Sequence, residues 1–230
     1  MKKVLLIVAI FIFANLSVFA KGFFEYGFYL PLGFSTGVPI GQSDKNNAFG
    51  LDGGFSMLIG YRTEFNDIVG MGFYADLGYS YDTFRIAGAA QNTDIRQIDG
   101  LNLHSIKIGF LPKVNLYDKY SIGLGVGVKL PLGGTLYSRR LDGTQGALVS
   151  TETTTRMFLR DLQNNYSTLS VIPYVKLTFD YTMFSTAKSS ADLGLYLGYD
   201  IGLREAGSGI DSIDFGFQLS LRFRPYNKEQ

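Results

Sequence analysis

The clearest alternation of apolar and polar positions lies near the end of the chain, in residues 212–224. Every odd position carries a large apolar side chain, and the even positions are polar, charged or glycine. Successive side chains of a β-strand point to opposite faces, so the pattern predicts a strand with one apolar and one polar face. Such a strand fits two environments: a soluble barrel that buries its apolar face, or a membrane barrel whose apolar face meets lipid.

The same alternation predicts seven further strands upstream. The eight predicted strands cover residues 24–34, 49–61, 68–85, about 101–114, 120–132, 168–181, 192–204 and 212–224. Each is long enough to cross a bilayer as a tilted strand, which takes roughly 9–11 residues. Long and short connections alternate until the last, medium-length one, which is typical of an up-and-down barrel.

Three irregularities interrupt this pattern. A slip of phase near Leu101 and Leu103 predicts a β-bulge or a late strand start there. Pro31 cannot donate a main-chain hydrogen bond, so it predicts a bulge or the rim of the barrel. The longest connection, residues 133–167, contains an apolar set that predicts one side of a short helix over the barrel mouth. That set is Met157, Phe158, Leu159 and Leu162.

Residues 1–20 have the layout of a cleavable signal peptide. Two lysines precede an apolar run, residues 4–13, and the small Ala20 offers a cleavage site. An uncleaved anchor helix is the alternative, but the apolar run is short for a membrane span. We therefore expect a signal peptide at 1–20 and one β domain at 21–230.

Composition excludes several classes of site. The net charge is +1, which gives no broad electrostatic basis for binding nucleic acid. The chain has no cysteine and one histidine, so disulfides, cysteine-bound metals and histidine clusters are excluded. We expect no cofactor. The 28 glycines, 15 tyrosines and 19 phenylalanines suit β-structure with close backbone contacts and rings at a membrane interface.

The polar faces of the predicted strands decide between the two environments. An eight-stranded barrel is only wide enough inside to be filled by side chains. The small and polar set fits that space, whereas the large apolar set would overfill it, so the apolar faces should meet lipid. The predicted interior polar network is Glu25, Asp52, Asp76, Lys107, Lys129, Lys176, Asp180, Asp192, Asp200, Asp214 and Arg222. The alternative is a secreted soluble ligand-binding barrel with the faces reversed.

The final strand carries a second pattern, with a polar residue, a glycine and three spaced apolar residues. These are Asp214, Gly216, Leu219, Leu221 and Phe223. They resemble the C-terminal assembly signal of small bacterial outer-membrane β-barrels of the eight-stranded OmpA/OmpX type, and the predicted strands of 21–230 resemble that family too. Family members commonly end on the aromatic residue, whereas seven residues follow Phe223 here. The resemblance implies an outer-membrane location with lipid around the barrel, insertion by the barrel-assembly machinery, and both termini in the periplasm.

One candidate for catalysis is His104, the single histidine. Eight-stranded lipid A deacylases place a histidine and a serine two positions apart, on one face of a strand. Here Ser105 directly follows His104, so the two side chains should point to opposite faces. We expect an interfacial histidine and no enzyme.

The charged interior allows two interpretations. It could be a narrow conduction path, or a set of ion pairs that fills the barrel; the small lumen of eight strands favours the second. The expected function is a non-enzymatic structural or surface-interaction role, in which the long outer loops meet an extracellular ligand or host partner. A small low-conductance pore or transporter is the alternative, and a lipid-modifying enzyme is a third possibility.

Overall fold

The computed structural model describes residues 21–88, 95–142, 149–158, 160, 171–205 and 208–224. The segment interpreted as a signal peptide, residues 1–20, lies outside these ranges. Within the described residues, no helix has the length and apolar character needed to span a bilayer.

The described residues form ten antiparallel strands in one sheet. They are β1 (Lys21–Ile40), β2 (Lys45–Asn47), β3 (Phe49–Glu64), β4 (Val69–Gly88), β5 (Ile95–Leu116), β6 (Tyr120–Asp142), β7 (Val149–Phe158), β8 (Ile172–Ser185), β9 (Ser189–Glu205) and β10 (Ser208–Phe223). Eight of them close a ring in the order β1-β3-β4-β5-β6-β8-β9-β10, because β10 pairs with β1 and β4 pairs with β5. The predicted eight-stranded antiparallel barrel is therefore confirmed. The two other strands, β2 with 3 residues and β7 with 10, pair with β4 and β6 outside the ring.

The two ends of the barrel differ. At one end, called the turn end below, lie the first residue of β1, the last of β10 and the short connections 65–68, 117–119 and 186–188. One of these turns has Tyr117 and Asp118 at φ 53°, the left-handed values that a tight antiparallel hairpin requires. The opposite end, called the loop end, carries the longer connections, the two-residue connection 206–207, and the strands β2 and β7.

The exterior of the ring is apolar. Outward side chains exposed on every ring strand are large and hydrophobic; examples are Leu32, Phe55, Leu77, Ile108, Leu124, Leu177, Leu195 and Leu219. Tyrosines near the strand ends also point outward, among them Tyr26, Tyr61, Tyr120 and Tyr181. A closed ring leaves no unpaired strand edge around its circumference, so this apolar belt can sit in lipid without exposing main-chain hydrogen-bonding groups.

The strands run further at the loop end than the alternation predicted. β1 continues to Ile40 and β6 to Asp142, and β7 forms inside the segment 133–167 that was predicted to be a connection. The predicted helix is wrong for Met157 and Phe158, which belong to β7. The other two members of that apolar set, Leu159 and Leu162, lie outside the described residues.

The structure differs from the predicted irregularities at both positions. The register shift lies between His104 and Ser105, where β6 contributes one extra residue, so β5 itself keeps its alternation. Leu101 and Leu103 therefore share the inward face with Ser105. At Pro31 the register with both neighbouring strands is constant, so there is no bulge.

Candidate functional site

The eleven residues predicted for the interior all lie on inward faces of ring strands. Nine are buried; Asp52 and Lys176 are partly buried and line a small central cavity. The inward faces bring eight of them together across the lumen in three groups, which follow one another from the turn end towards the loop end. Each group connects strands that are not neighbours in the ring.

The group nearest the turn end is centred on Arg222 of β10. Its guanidinium donates from Nε and Nη2 to the two carboxylate oxygens of Asp192, each at 2.7 Å, and from Nη1 to Glu25 at 3.4 Å. Asp192 also accepts hydrogen bonds from Ser220 and Thr182, both at 2.7 Å. The arrangement is bidentate and charge-assisted, the strongest class of side-chain hydrogen bonding in proteins. It joins β1, β8, β9 and β10.

The middle group is centred on Lys113 of β5. Its ammonium donates to Asp180 at 2.5 Å and to the Tyr29 hydroxyl at 3.0 Å. Gln218 donates to the second carboxylate oxygen of Asp180, also at 2.5 Å. Beside this group, buried Leu58 and Leu111 pack with two inward tyrosines. The lumen is filled from wall to wall at this level.

The third group is centred on Lys129 of β6. Its ammonium donates to Asp82 at 2.6 Å and to Asp200 at 2.5 Å, and lies 3.9 Å from a carboxylate oxygen of Asp214. Carboxylate oxygens of Asp52, Asp82 and Asp214 lie within 4.8 Å of one another, a donor set that hard cations such as Ca²⁺ accept. The Lys129 ammonium already supplies a positive charge at that position.

Next to Lys129 lies a cavity of about 40 Å³, enough for a few water molecules. Its lining includes Lys107, which pairs with Asp76 at 3.0 Å, and Lys176, whose ammonium sits 4.8 Å above the ring of Tyr196. The Tyr196 hydroxyl in turn donates to Asp52. At this volume the cavity is too small for an organic ligand.

Above these polar groups, the loop end of the lumen is closed by apolar side chains. Phe84 of β4 packs with Leu101 and Leu103 of β5, and Met157 and Ile172 complete the buried cluster. Ile210 packs against its edge. Gly202 of β9 leaves room for the Phe84 ring: a β-carbon there would lie 2.5 Å from a ring atom. We call this set the apolar cap.

The single histidine lies outside the barrel. The His104 ring stacks with Tyr79 at a centroid distance of 6.0 Å and packs tilted against Tyr81 at 5.2 Å, and its Nδ1 lies 2.5 Å from the Tyr79 hydroxyl. Ser105 is buried on the opposite face at 0% exposure. The two side chains point to opposite sides of the barrel wall, so this pair cannot act together on one substrate.

Sequence reasoning missed several members of the interior. Lys113 has the same parity as Lys107, but the faces of its strand were assigned only as far as Phe110. Arg62 was placed in a turn, yet it is a buried residue of β3 that pairs with Asp118 and, at 3.4 Å, with Glu64. Extending each alternation to the end of its strand would have found both.

The C-terminal assembly residues divide between the two faces of β10. Asp214 is buried, accepts a hydrogen bond from Ser212 at 2.7 Å, and belongs to the Lys129 group. Leu219 and Leu221 point outward, and the Phe223 ring stacks with Tyr26 at 5.5 Å across the seam between the last and first strands. Recognition of this segment by an assembly machinery stays a prediction.

No protein-family model matches the chain, and no curated protein matches it. Among solved structures, it is similar to Ail, the attachment invasion locus protein of Yersinia pestis, crystallised with the heparin analogue sucrose octasulfate (TM-score 0.38, 14% identity, 87% of this chain and 99% of that one). It is also similar to Neisserial surface protein A (TM-score 0.34, 15% identity, 90% and 99%) and to the outer membrane protease OmpT of Escherichia coli (TM-score 0.37, 9% identity, 88% and 97%). At these values the likeness concerns the fold alone. The assignment as a closed membrane barrel rests on the chain's own ring of strands, apolar belt and polar interior.

Proposed function

We propose that the chain is a non-enzymatic barrel of the bacterial outer membrane that holds a β-structure rigidly at the cell surface, where it contacts other molecules. One observation carries the proposal: the lumen is filled by ion pairs and closed by the apolar cap, while β4, β5, β6 and β7 continue past the cap as a sheet. The filled interior favours a support over a channel. The extended strands supply the surface that such a support presents.

The orientation of the barrel is part of the proposal. Both described chain ends lie at the turn end, and so do three of the four short connections; the fourth, 206–207, lies at the loop end. Outer-membrane barrels place short turns in the periplasm and long connections outside. We therefore assign the turn end to the periplasm and the loop end to the cell exterior, with outer-membrane lipid around the belt.

Electrical recording distinguishes this function from the pore. The protein, refolded in detergent and checked by its altered migration on unboiled gels, is added to planar lipid bilayers. We expect no stepwise conductance, because cross-lumen pairs and the apolar cap leave no continuous water path. The matched variant Lys129→Met removes the central charge. A steady conductance in the wild-type protein that changes in this variant would instead establish a pore lined by the Lys129 group.

Surface labelling tests the orientation. An epitope is inserted between residues 145 and 146 in one variant and within the turn 186–188 in another. On intact cells, an antibody should bind only the first, and on permeabilised cells it should bind both. Binding of only the second on intact cells would show that the turn end faces outward and would overturn the proposal.

A further inference from the structure

Among the described residues, β7 is the one long strand that takes no part in closing the ring. It pairs along one side with β6, from Gly133↔Phe158 to Asp142↔Val149, and contains 10 residues. These residues correspond to roughly 30 Å of strand, alongside the part of β6 that extends past its pairing with β8. Met157 is tucked into the apolar cap, whereas every side chain from Ser150 to Arg156 is exposed.

The second edge of β7 is unpaired within the described residues. Its main chain bonds to β6 and to no other described strand. A row of free N–H and C=O groups is a template for another strand. The sequence V-S-T-E-T-T-T-R-M-F contains no proline or glycine and has four threonines, which favour extended structure.

The charges on this edge fit a particular partner. Glu152 and Arg156 lie on the same face of β7, four positions apart, and neither has an ion-pair partner among the described residues. Arg139 is opposite Glu152 on β6, but its Nε donates to Ser150 at 3.1 Å. If two β7 strands pair antiparallel about Thr154, each Glu152 lies opposite Arg156 of the partner subunit. Parallel in-register pairing would set like charges opposite each other, which is unfavourable.

We infer that β7 is a self-recognition edge through which two copies of this chain pair antiparallel, with Thr154 on the two-fold axis. The pairing is isologous and closes as a dimer, because each copy offers the same edge and the same two charges. Opposed cross-strand residues have β-carbons about 4.5–5.5 Å apart, within reach of Glu–Arg contact. This inference rests on the proposed function and specifies the partner of the loop end.

The direction of the strands decides where the two copies sit. Barrel strands tilt about 35–45° from the barrel axis, and β7 follows β6 along its whole length. Two barrels upright in one membrane keep both β7 strands pointing the same way along the membrane normal. They cannot bring these strands antiparallel. The antiparallel pair instead places two barrels loop end to loop end, so the two copies belong to two facing membranes.

Cross-linking tests the register in the purified full chain. The protein has no cysteine, so Thr154→Cys and Ser150→Cys each introduce a single thiol. Under mild oxidation with copper-phenanthroline in detergent, Thr154→Cys should form a disulfide-linked dimer and Ser150→Cys should not. The two Ser150 positions lie eight residues apart in the antiparallel register, roughly 26 Å. Dimers from both variants would show parallel pairing, and dimers from neither would show that the edge does not pair; either result overturns the inference.

Charge variants test recognition between membranes. Vesicles carrying refolded Glu152→Arg and vesicles carrying Arg156→Glu are examined separately and mixed, by light scattering and by energy transfer between two lipid dyes. Each variant alone should tether about tenfold less than wild type, since both cross-strand pairs become repulsive. The mixture should regain wild-type tethering, because it restores two opposite-charge pairs. Equal tethering by all samples would overturn charge-guided pairing.

The cross-linking and vesicle experiments distinguish failure of this inference from failure of the proposed function. Cross-linking in detergent does not depend on which way the barrel faces in the cell, so it reports on the edge alone. If Thr154→Cys forms the dimer but epitope labelling shows the reversed orientation, the pairing of β7 is supported and its location at the cell surface is not. Wild-type dimers that form only within single vesicles, without tethering, would overturn the assignment to facing membranes.

Discussion

The interior of the barrel is polar at one height along the strands and apolar at another. Along β4, the inward positions Asp76, Ser80 and Asp82 are polar, and the next two, Phe84 and Ile86, are apolar; all five are buried. Below the change, the outer face of the barrel is a belt of large apolar side chains. Above it, the outer positions of β6 and β7 include serine, threonine and arginine.

On neighbouring strands the change falls within one inward position. On β5, Ser105 pairs with Ser80, Leu103 with Asp82, and Leu101 with Phe84. What surrounds the barrel therefore decides what fills it. In lipid the apolar residues belong outside and the lumen takes the polar ones; in water a soluble core needs the reverse. The lumen of this barrel contains both kinds of core in sequence.

The largest effect is expected from removing a charge from the polar part of the lumen. Arg222→Met should lower the free energy of unfolding by about 3–5 kcal/mol, because it leaves Asp192 buried without its partner. Arg224→Met is the matched control. Arg224 is partly exposed; its guanidinium contacts Glu25 at 3.3 Å and lies 5.1 Å from the centre of the Phe23 ring. Because both contacts are near solvent, its loss should cost about 1 kcal/mol. Urea titration followed by migration on unboiled gels measures both; equal losses would contradict the bidentate role.

The next effect breaks the apolar cap. Leu103→Ala should cost about 2–5 kcal/mol, because it opens a cavity in a packed cluster. The control is Leu136→Ala, at a side chain that is 38% exposed on the upper part of β6, with an expected cost under about 1 kcal/mol. The same urea titration compares them. A small cost at Leu103 would show that the cap is not a packed core.

A third pair of variants locates the boundary from outside. Leu124→Arg places a charge in the belt and should cost about 2–4 kcal/mol in lipid vesicles. Thr135→Arg lies on the outer face of the same strand, above the proposed boundary, and should cost less than about 1 kcal/mol. Equilibrium unfolding from vesicles measures the difference. Similar costs at the two positions would mean that the lipid belt reaches the height of Thr135.

The smallest effect concerns the exterior histidine. His104→Ala removes exposed contacts with Tyr79 and Tyr81 and should change the free energy of unfolding by less than about 1 kcal/mol. Ser105→Ala should be similarly mild. Any lipid hydrolysis by the purified protein should persist in both variants. Loss of such activity in either one would contradict the separation of the two side chains.

The sequence predicted the ring because lipid and lumen impose one strict alternation on every membrane-crossing strand. Residues such as Leu124 and Lys129 were assigned to the correct sides by parity alone. Pairing partners were a different matter: nothing local to Lys129 distinguishes Asp82 and Asp200 as its contacts. Those contacts depend on which strands face each other across the lumen.

The loop end was harder to predict, because its strands obey a different rule. Thr151 to Thr155 carry no large apolar face, so β7 looked like a connection. Met157 and Phe158 looked like part of a helix because they belong to a short cluster of apolar residues. As neighbours in a strand they point to opposite faces, and only Met157 packs into the apolar cap. Leu101 and Leu103 seemed to break the alternation because polar residues were expected on the inward face along the whole strand. At the height of the apolar cap, the inward face is apolar instead.

The seam between the first and last strands has a consequence for the lifetime of the barrel. Glu25 and Arg222 are separated by 197 positions in the chain, so their contact forms only when β10 reaches β1 and the ring closes. Interactions that form after the rate-limiting step mainly slow the reverse reaction. The seam therefore acts as a latch: it governs how slowly a finished barrel opens and leaves the speed of assembly largely unchanged.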